Sequence, residues 1–219
     1  MKLDKTKYIR IAIDSTAGSG STSIAKLLAK HYKLRYLDTG KVYRWCAYQI
    51  LKKKPQNQTK FLRQKIKKLK LNELKSKKLI DDDVAQLTSR ISKQLSLRKL
   101  VLGFQKNIAY KIPPGFKGSV LNGRDITYNI IPDATFKFYI TANLRERGKR
   151  RFKELRRLGK KVNLKNVVIS LKNRDQSDKK RSGKQGRLKK TQDSQLINTT
   201  HLSIKGGFLK VKKIIDREL

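Results

Sequence analysis

Cysteine is nearly absent: Cys46 stands alone in 219 residues, so no internal disulfide can form and the chain suits a reducing cytosol. Two histidines, His31 and His201, share no metal-ligand spacing with it, which removes a zinc site. No apolar run approaches the roughly 20 residues of a membrane span, so no membrane partner is expected. The opening Met1-Lys-Leu-Asp-Lys-Thr-Lys leads into a strand pattern and lacks the apolar stretch of a signal peptide. Acidic side chains are the scarcest class of all. There are 16 against 56 Lys and Arg, a formal net charge of +40. The excess concentrates in 51–80, with twelve basic residues and one acid, and in 141–190, with twenty and four. Three readings fit that balance: contact with nucleic acid or another polyanion, a polyphosphate substrate, or a Lys-biased composition settling on solvated helix faces.

What is present is alternation. Ile9–Ile13 reads as a buried strand, Thr22–Tyr32 as a helix with Ile24, Leu27 and Leu28 on one side, and Leu34–Leu37 as a second strand. A helix is predicted from about Lys41 to Lys53, ended by Pro55. Residues 55–80 read as a polar surface excursion. Helical spacing runs from Asp83 to Ile108 and stops at Pro113-Pro114-Gly115. Strands follow at 119–121 and 136–140, then a basic helix over Leu144–Leu158, a polar loop over 174–190, a last strand at 195–197 and a last helix over 202–219. Strands alternating with helices predict an α/β fold with a parallel sheet, and the length allows one core with an inserted subdomain.

The most informative stretch joins the first strand to the first helix. Ser15-Thr16-Ala17-Gly18-Ser19-Gly20-Ser21-Thr22-Ser23 is a Gly/Ser/Thr turn in the setting where backbone N–H groups and a helix N-terminus hold a phosphate. Against a Walker A loop, G-x-x-x-x-G-K-[ST], Gly20 and Thr22 fit, while Ser15 replaces the first Gly and Ser21 the Lys. The cradle remains and its point charge is gone. An ordinary strand-to-helix turn would also account for this stretch taken alone.

Further motifs follow in order: Tyr36-Leu-Asp-Thr-Gly40-Lys-Val-Tyr-Arg44, Asn122-Gly-Arg-Asp125 with Pro132-Asp133-Ala134, Glu146-Arg-Gly-Lys-Arg-Arg-Phe-Lys-Glu-Leu155, Arg174-Asp-x-x-Asp178-x-x-Arg181, and Asn198-Thr-Thr-His-Leu-Ser-Ile204. With the phosphate turn they make six in register, and together they resemble bacterial cytidylate kinases over almost the whole chain. The resemblance implies a P-loop nucleoside monophosphate kinase fold, a parallel sheet flanked by helices. The core would span about 8–54, 116–145 and 191–219, with an acceptor-binding insertion at about 55–115 and an arginine-rich lid at about 146–190. The implied reaction moves the ATP γ-phosphoryl group to CMP, with dCMP a second expected acceptor and Mg²⁺ as cofactor. It assigns ATP to Ser15–Ser23, with Thr22 at the metal. CMP falls to Thr39, Arg44, Arg98, Arg124 and Asp125, with Arg98 toward the acceptor phosphate and Arg124 with Asp125 toward the base. The lid arginines Arg147, Arg150, Arg151, Arg174 and Arg181 are implied at the phosphates, with Asp175 and Asp178 positioning them. A monomer in the cytoplasm is expected.

Elementary chemistry agrees with that assignment. Two polyanions brought together need their repulsion neutralised, and forked guanidiniums grip phosphate oxygens at two points. Three departures fall at the chemistry: Ser15, Ser21, and Asn122 where the family carries an acid. Thr127-Tyr128 also replaces a smaller pair. Losing a preorganised charge lowers rate by about 10²–10³, so Ser21→Lys is expected to raise kcat. Lys26 lies about 140° around the helix from Ser21, a poor stand-in. Two alternatives stay open: a nucleotide-binding remnant without turnover, and a basic nucleic-acid-binding protein on a kinase fold.

Overall fold

β1 (Ile9–Ser15) is buried at every position after Ile9, polar Arg10, Asp14 and Ser15 included, because it is covered on both sides, the mark of a central strand in a parallel sheet. The computed structural model describes residues 8–180 and 186–219. After β1 come α1 (Ser21–His31), β2 (Leu34–Asp38), α2 (Thr39–Lys53), α3 (Gln58–Lys67), α4 (Asp82–Ile91) and α5 (Leu95–Tyr110). Then follow β3 (Gly118–Gly123), β4 (Phe136–Thr141), α6 (Leu144–Arg157), α7 (Leu164–Lys180), β5 (Gln195–Asn198) and α8 (Ile204–Asp216). The five strands are all parallel, in the order β2-β3-β1-β4-β5.

Alternation along β1 divides the core. Ile11 and Ile13 meet Ile24 and Leu28 of α1 and Val211 and Ile215 of α8 on one side. Ala12 faces the other way, toward Val42, Cys46 and Ala47 of α2 and Val101 and Ile108 of α5. Chain order reverses about β1, since β2 and β3 lie to one side of it and β4 and β5 to the other. The carboxyl ends of the strands beside that reversal form the crevice where open α/β sheets take ligands. Register brings Asp14, Asp38, Asn122 and Gly123 to that edge.

Three expectations about elements need correction. Residues 55–80 are not a bare surface excursion: α3 and two short turns place Leu62, Ile66, Leu69, Leu74 and Leu79 in the same core as α2. Helical spacing between Asp83 and Ile108 is broken into α4 and α5 by Ser92–Gln94. Finally, 174–180 belongs to α7, held to α6 where Gly148 passes Val168 so closely that an added Cβ would lie 2.4 Å from Val168 Cγ2. Among the described residues no helix is long and apolar enough to cross a membrane.

Candidate active site

The turn after β1 has its carbonyls bonded and most of its N–H groups open. Its carbonyls point outward: Ala17 O accepts from Arg147 Nη1 at 3.1 Å, and Ser19 O accepts from Thr199 Oγ1 at 2.8 Å and Arg150 Nη1 at 3.4 Å. Its N–H groups are mostly not engaged in this way. Those of Gly18, Gly20, Ser21 and Thr22 donate to no backbone carbonyl among the described residues, and the first α1 bonds begin at Ser23 and Ile24. Gly18 and Gly20, at φ 77° and 85°, supply the left-handed conformations that turn the chain this way. Ser15 shows no positive φ, so its side chain is accommodated without backbone strain. Open donors at a helix N-terminus form an anion cradle.

Beside it the three unusual positions meet. Ser21 Oγ donates to Ser15 Oγ at 2.8 Å, Ser15 Oγ to Asn122 Oδ1 at 3.3 Å, and Asn122 Nδ2 to Thr22 Oγ1 at 3.0 Å. Their separation in sequence hides this contact entirely. Asp14 is a residue that motif matching passed over. Fully buried, it accepts from Ile126 N at 2.8 Å and from Thr127 N and Oγ1 at 3.2 and 2.5 Å. Burial raises its pKa to about 6, against the lowering effect of those bonds. It thereby fixes the π-turn Ile126–Ile130, whose preceding residue is Asp125.

Arg124 and Asp125, expected to act side by side, are separated. Arg124 Nε donates to Asp178 at 2.8 Å, while Asp125 pairs with Arg98 at 3.5 Å in a buried site. Arg98 also donates to Ser92 O at 3.0 Å and stands 5.3 Å over the Tyr43 ring. Burial pushes the Asp125 carboxyl up, and Arg98 pulls it back down. Tyr43, Leu102, Gln105 and Asn129 complete a hollow around this pair that is too tight for a water molecule. Gly186–Leu188 closes it: Gly186 N donates to Asp125 at 2.6 Å, Tyr128 OH to Arg187 O at 2.5 Å, and Leu188 is buried.

Between cradle and hollow lies a group of cations. Arg44 donates to Leu79 O at 2.8 Å, and its pKa is lowered by burial and then by Arg151. Arg174 keeps 58% of its side chain open and approaches Asp178, the partner of Arg124, at 3.9 Å. Arg151 pairs with Glu154 at 2.8 Å. Arg147 and Arg150 belong to a different group despite their helical spacing. Arg147 bonds Asp175 at 2.6 Å, and Arg150 collects the carbonyls of Thr199, Thr200 and Leu202, so both brace the outer side of the cradle. Thr39 Oγ1 donates to Asn122 O at 3.1 Å. Arg181 lies outside the described residues.

A five-stranded parallel sheet in this order, with an anion cradle opening the first helix at the strand-order reversal, defines the class of P-loop phosphate-binding proteins. A solved structure of an uncharacterized protein from Eubacterium ventriosum shares the fold at 18% identity and TM-score 0.51, covering 95% of this chain and 98% of that one. The cytidylate kinase family pattern matches residues 11–216. The cytidylate kinase of Bartonella quintana is 37% identical over 94% of each chain, that of Bartonella bacilliformis 36% over 94% of each, and that of Brucella ovis 31% over 95% of this chain and 93% of its own. The chain belongs to the cytidylate kinase family, as its six motifs lead one to expect.

Proposed function

We propose that this protein transfers the γ-phosphoryl group of ATP to CMP, and to dCMP, giving ADP and the pyrimidine nucleoside diphosphate. The observation that carries the reading is the pairing of an open N–H cradle with a cationic cleft and a buried donor–acceptor pair. The cradle Ser15–Ser23 suits the ATP phosphates. Arg44, Arg124, Arg151 and Arg174 suit the phosphoryl group in transit and the acceptor phosphate, where charge spreads over several oxygens. Arg98 with Asp125 suits the cytosine edge, which offers both an amino donor and ring acceptors. Arg98 is thereby assigned to the base and no longer to the acceptor phosphate. Thr39, bonded to β3, holds the start of α2 beside that acceptor.

Among the described residues no three His, Cys, Asp or Glu side chains cluster to hold a metal. Asp14 has both oxygens committed and Asn122 is neutral, so the donor set fits a nucleotide-borne Mg²⁺ touched by the Thr22 hydroxyl. When bound, that ion neutralises charge on the β- and γ-phosphates. The stretches 55–115 and 146–190 act as acceptor-binding insertion and lid about the core, and the Gly186–Leu188 strap lifts from Asp125 as CMP enters. The protein works as a cytoplasmic monomer.

A coupled ADP-release assay with ATP, Mg²⁺ and CMP, with UMP and AMP as controls, tests this. Turnover selective for CMP is expected. CMP binding without turnover would overturn it and mark a nucleotide-binding remnant.

A further inference from the structure

A Walker loop carries a lysine that reaches the β- and γ-phosphates; this loop has the buried hydroxyl of Ser21 instead. Ser21, Ser15, Asn122 and Thr22 are joined in one neutral network, with no ammonium or carboxylate among them. The missing charge has to come from another element. Arg147 is held by Asp175, Arg150 by carbonyls and Arg98 by Asp125, and Arg44, Arg124, Arg151 and Arg174 already have the tasks assigned to them above.

Lys41 is not committed. Its ammonium makes no hydrogen bond and no ion pair within 4 Å among the described residues. It lies in the first turn of α2, three residues after the N-cap Asp38, whose carboxylate accepts from Gly40 N at 3.1 Å. That turn begins against the neutral network itself. Asp38 is in register with Asn122, and Thr39 Oγ1 bonds the Asn122 main-chain oxygen at 3.1 Å. Lys41 is half-buried, and burial lowers its pKa, with Lys26 and Arg44 pushing the same way and Asp38 opposing. A half-buried ammonium without a bonded partner, one helical turn from a neutral phosphate-side network, is suited to an anion.

We infer that Lys41 is a catalytic cation of this enzyme, meeting the transferring phosphoryl oxygens from the acceptor side in place of a loop lysine. The inference rests on the CMP-kinase reading above. In the step, an acceptor phosphate oxygen forms the new P–O bond while the bond from the γ-phosphorus to the β–γ bridging oxygen breaks. ADP leaves with that electron pair. Lys41 keeps its proton and contributes only charge.

Kinetics of Lys41→Ala, Lys41→Arg, Ser21→Lys and the double variant Ser21→Lys with Lys41→Ala test the assignment, with folding checked by thermal melting. Lys41→Gln replaces the alanine variant if that one does not fold. Lys41→Ala is expected to lower kcat about 10²-fold, and Lys41→Arg to keep it within about tenfold of wild type, since the charge is retained. Ser21→Lys should then recover at least about tenfold in the Lys41→Ala background. Because Lys41 already supplies the charge, Ser21→Lys alone changes kcat little, which revises the rise expected from sequence. Lys26→Ala leaves kcat near wild type. A folded Lys41→Ala variant with wild-type kcat overturns the assignment. So does a loss that Ser21→Lys fails to relieve, which would make Lys41 structural. Wild-type protein that forms no CDP overturns the kinase reading and this assignment with it, so the two failures are told apart by the wild-type measurement.

Discussion

Asp14 carries its carboxylate where water does not reach, and it does so in order to hold a turn. Three donors from Ile126 and Thr127 converge on it, yet desolvation outweighs them and leaves its pKa at about 6 against an ordinary 3.8. The sign of the linkage follows from that order. Between about pH 4 and 6 the folded protein holds a proton that the unfolded chain has released, so stability from this group is greatest on the acid side and declines as pH rises through the window. Above it the group is an ionised carboxylate kept in place by its three bonds. The Asp14 carboxyl carbon should titrate near 6 by NMR, and Asp14→Asn should flatten that part of the stability curve. Titration near 4 would mean that the hydrogen bonds outweigh burial. The single residues Thr39, Arg44, Arg98, Arg124 and Asp125 could be named as candidates from sequence. Their partners could not. Chain neighbours Arg124 and Asp125 point to different acids and bases, because the left-handed backbone at Asp125 turns its side chain away, at φ 53°.

At the scale of elements, α3 shows how a core helix hides in a basic stretch. Leu62, Ile66 and Leu69 follow i, i+4, i+7 spacing and are buried, but Lys60, Arg63, Lys65, Lys67 and Lys68 surround them and dominate any polarity average. Long basic side chains cover apolar surface with their stems while their heads stay in water, so such a helix can be both highly charged and firmly packed. Ile66→Ala should therefore destabilise the protein by about 2–5 kcal/mol, the range for truncating a buried aliphatic side chain. Chemical denaturation reads this directly; a change under about 0.5 kcal/mol, as for surface substitutions, would return this stretch to the solvated excursion that its composition suggests. α6 makes the complementary point. Its arginines share helical spacing, but α7 on one side and the cradle on the other divide them by task, Arg147 and Arg150 bracing carbonyls while Arg151 faces the cleft.

For the whole molecule the net charge of +40 is the dominant long-range property. A field of that size attracts any polyanion, and such attraction falls steeply with salt as counterions cease to be released. Duplex DNA should bind at low salt and lose about 10³–10⁵ in affinity between 50 and 200 mM if six to ten phosphates are contacted. Fluorescence anisotropy over a salt series measures this. Binding that persists at 200 mM would point to a built groove for nucleic acid. The cleft differs from the general surface in having its arginines fixed by acids and carbonyls, which solvated lysines lack.

The succession of five strands, the parallel sheet and the phosphate turn were determined by sequence alone, because hydrophobic period and turn chemistry are local and survive any packing. Tertiary structure decided what meets what. Ser15, Ser21 and Asn122 join only because β1 and β3 lie side by side with α1 opening above them, and the start of α2 meets Asn122 only because β2 pairs with β3 in register at Asp38. Contacts of that kind depend on where strand ends fall relative to one another, a distance in space that no spacing along the chain encodes.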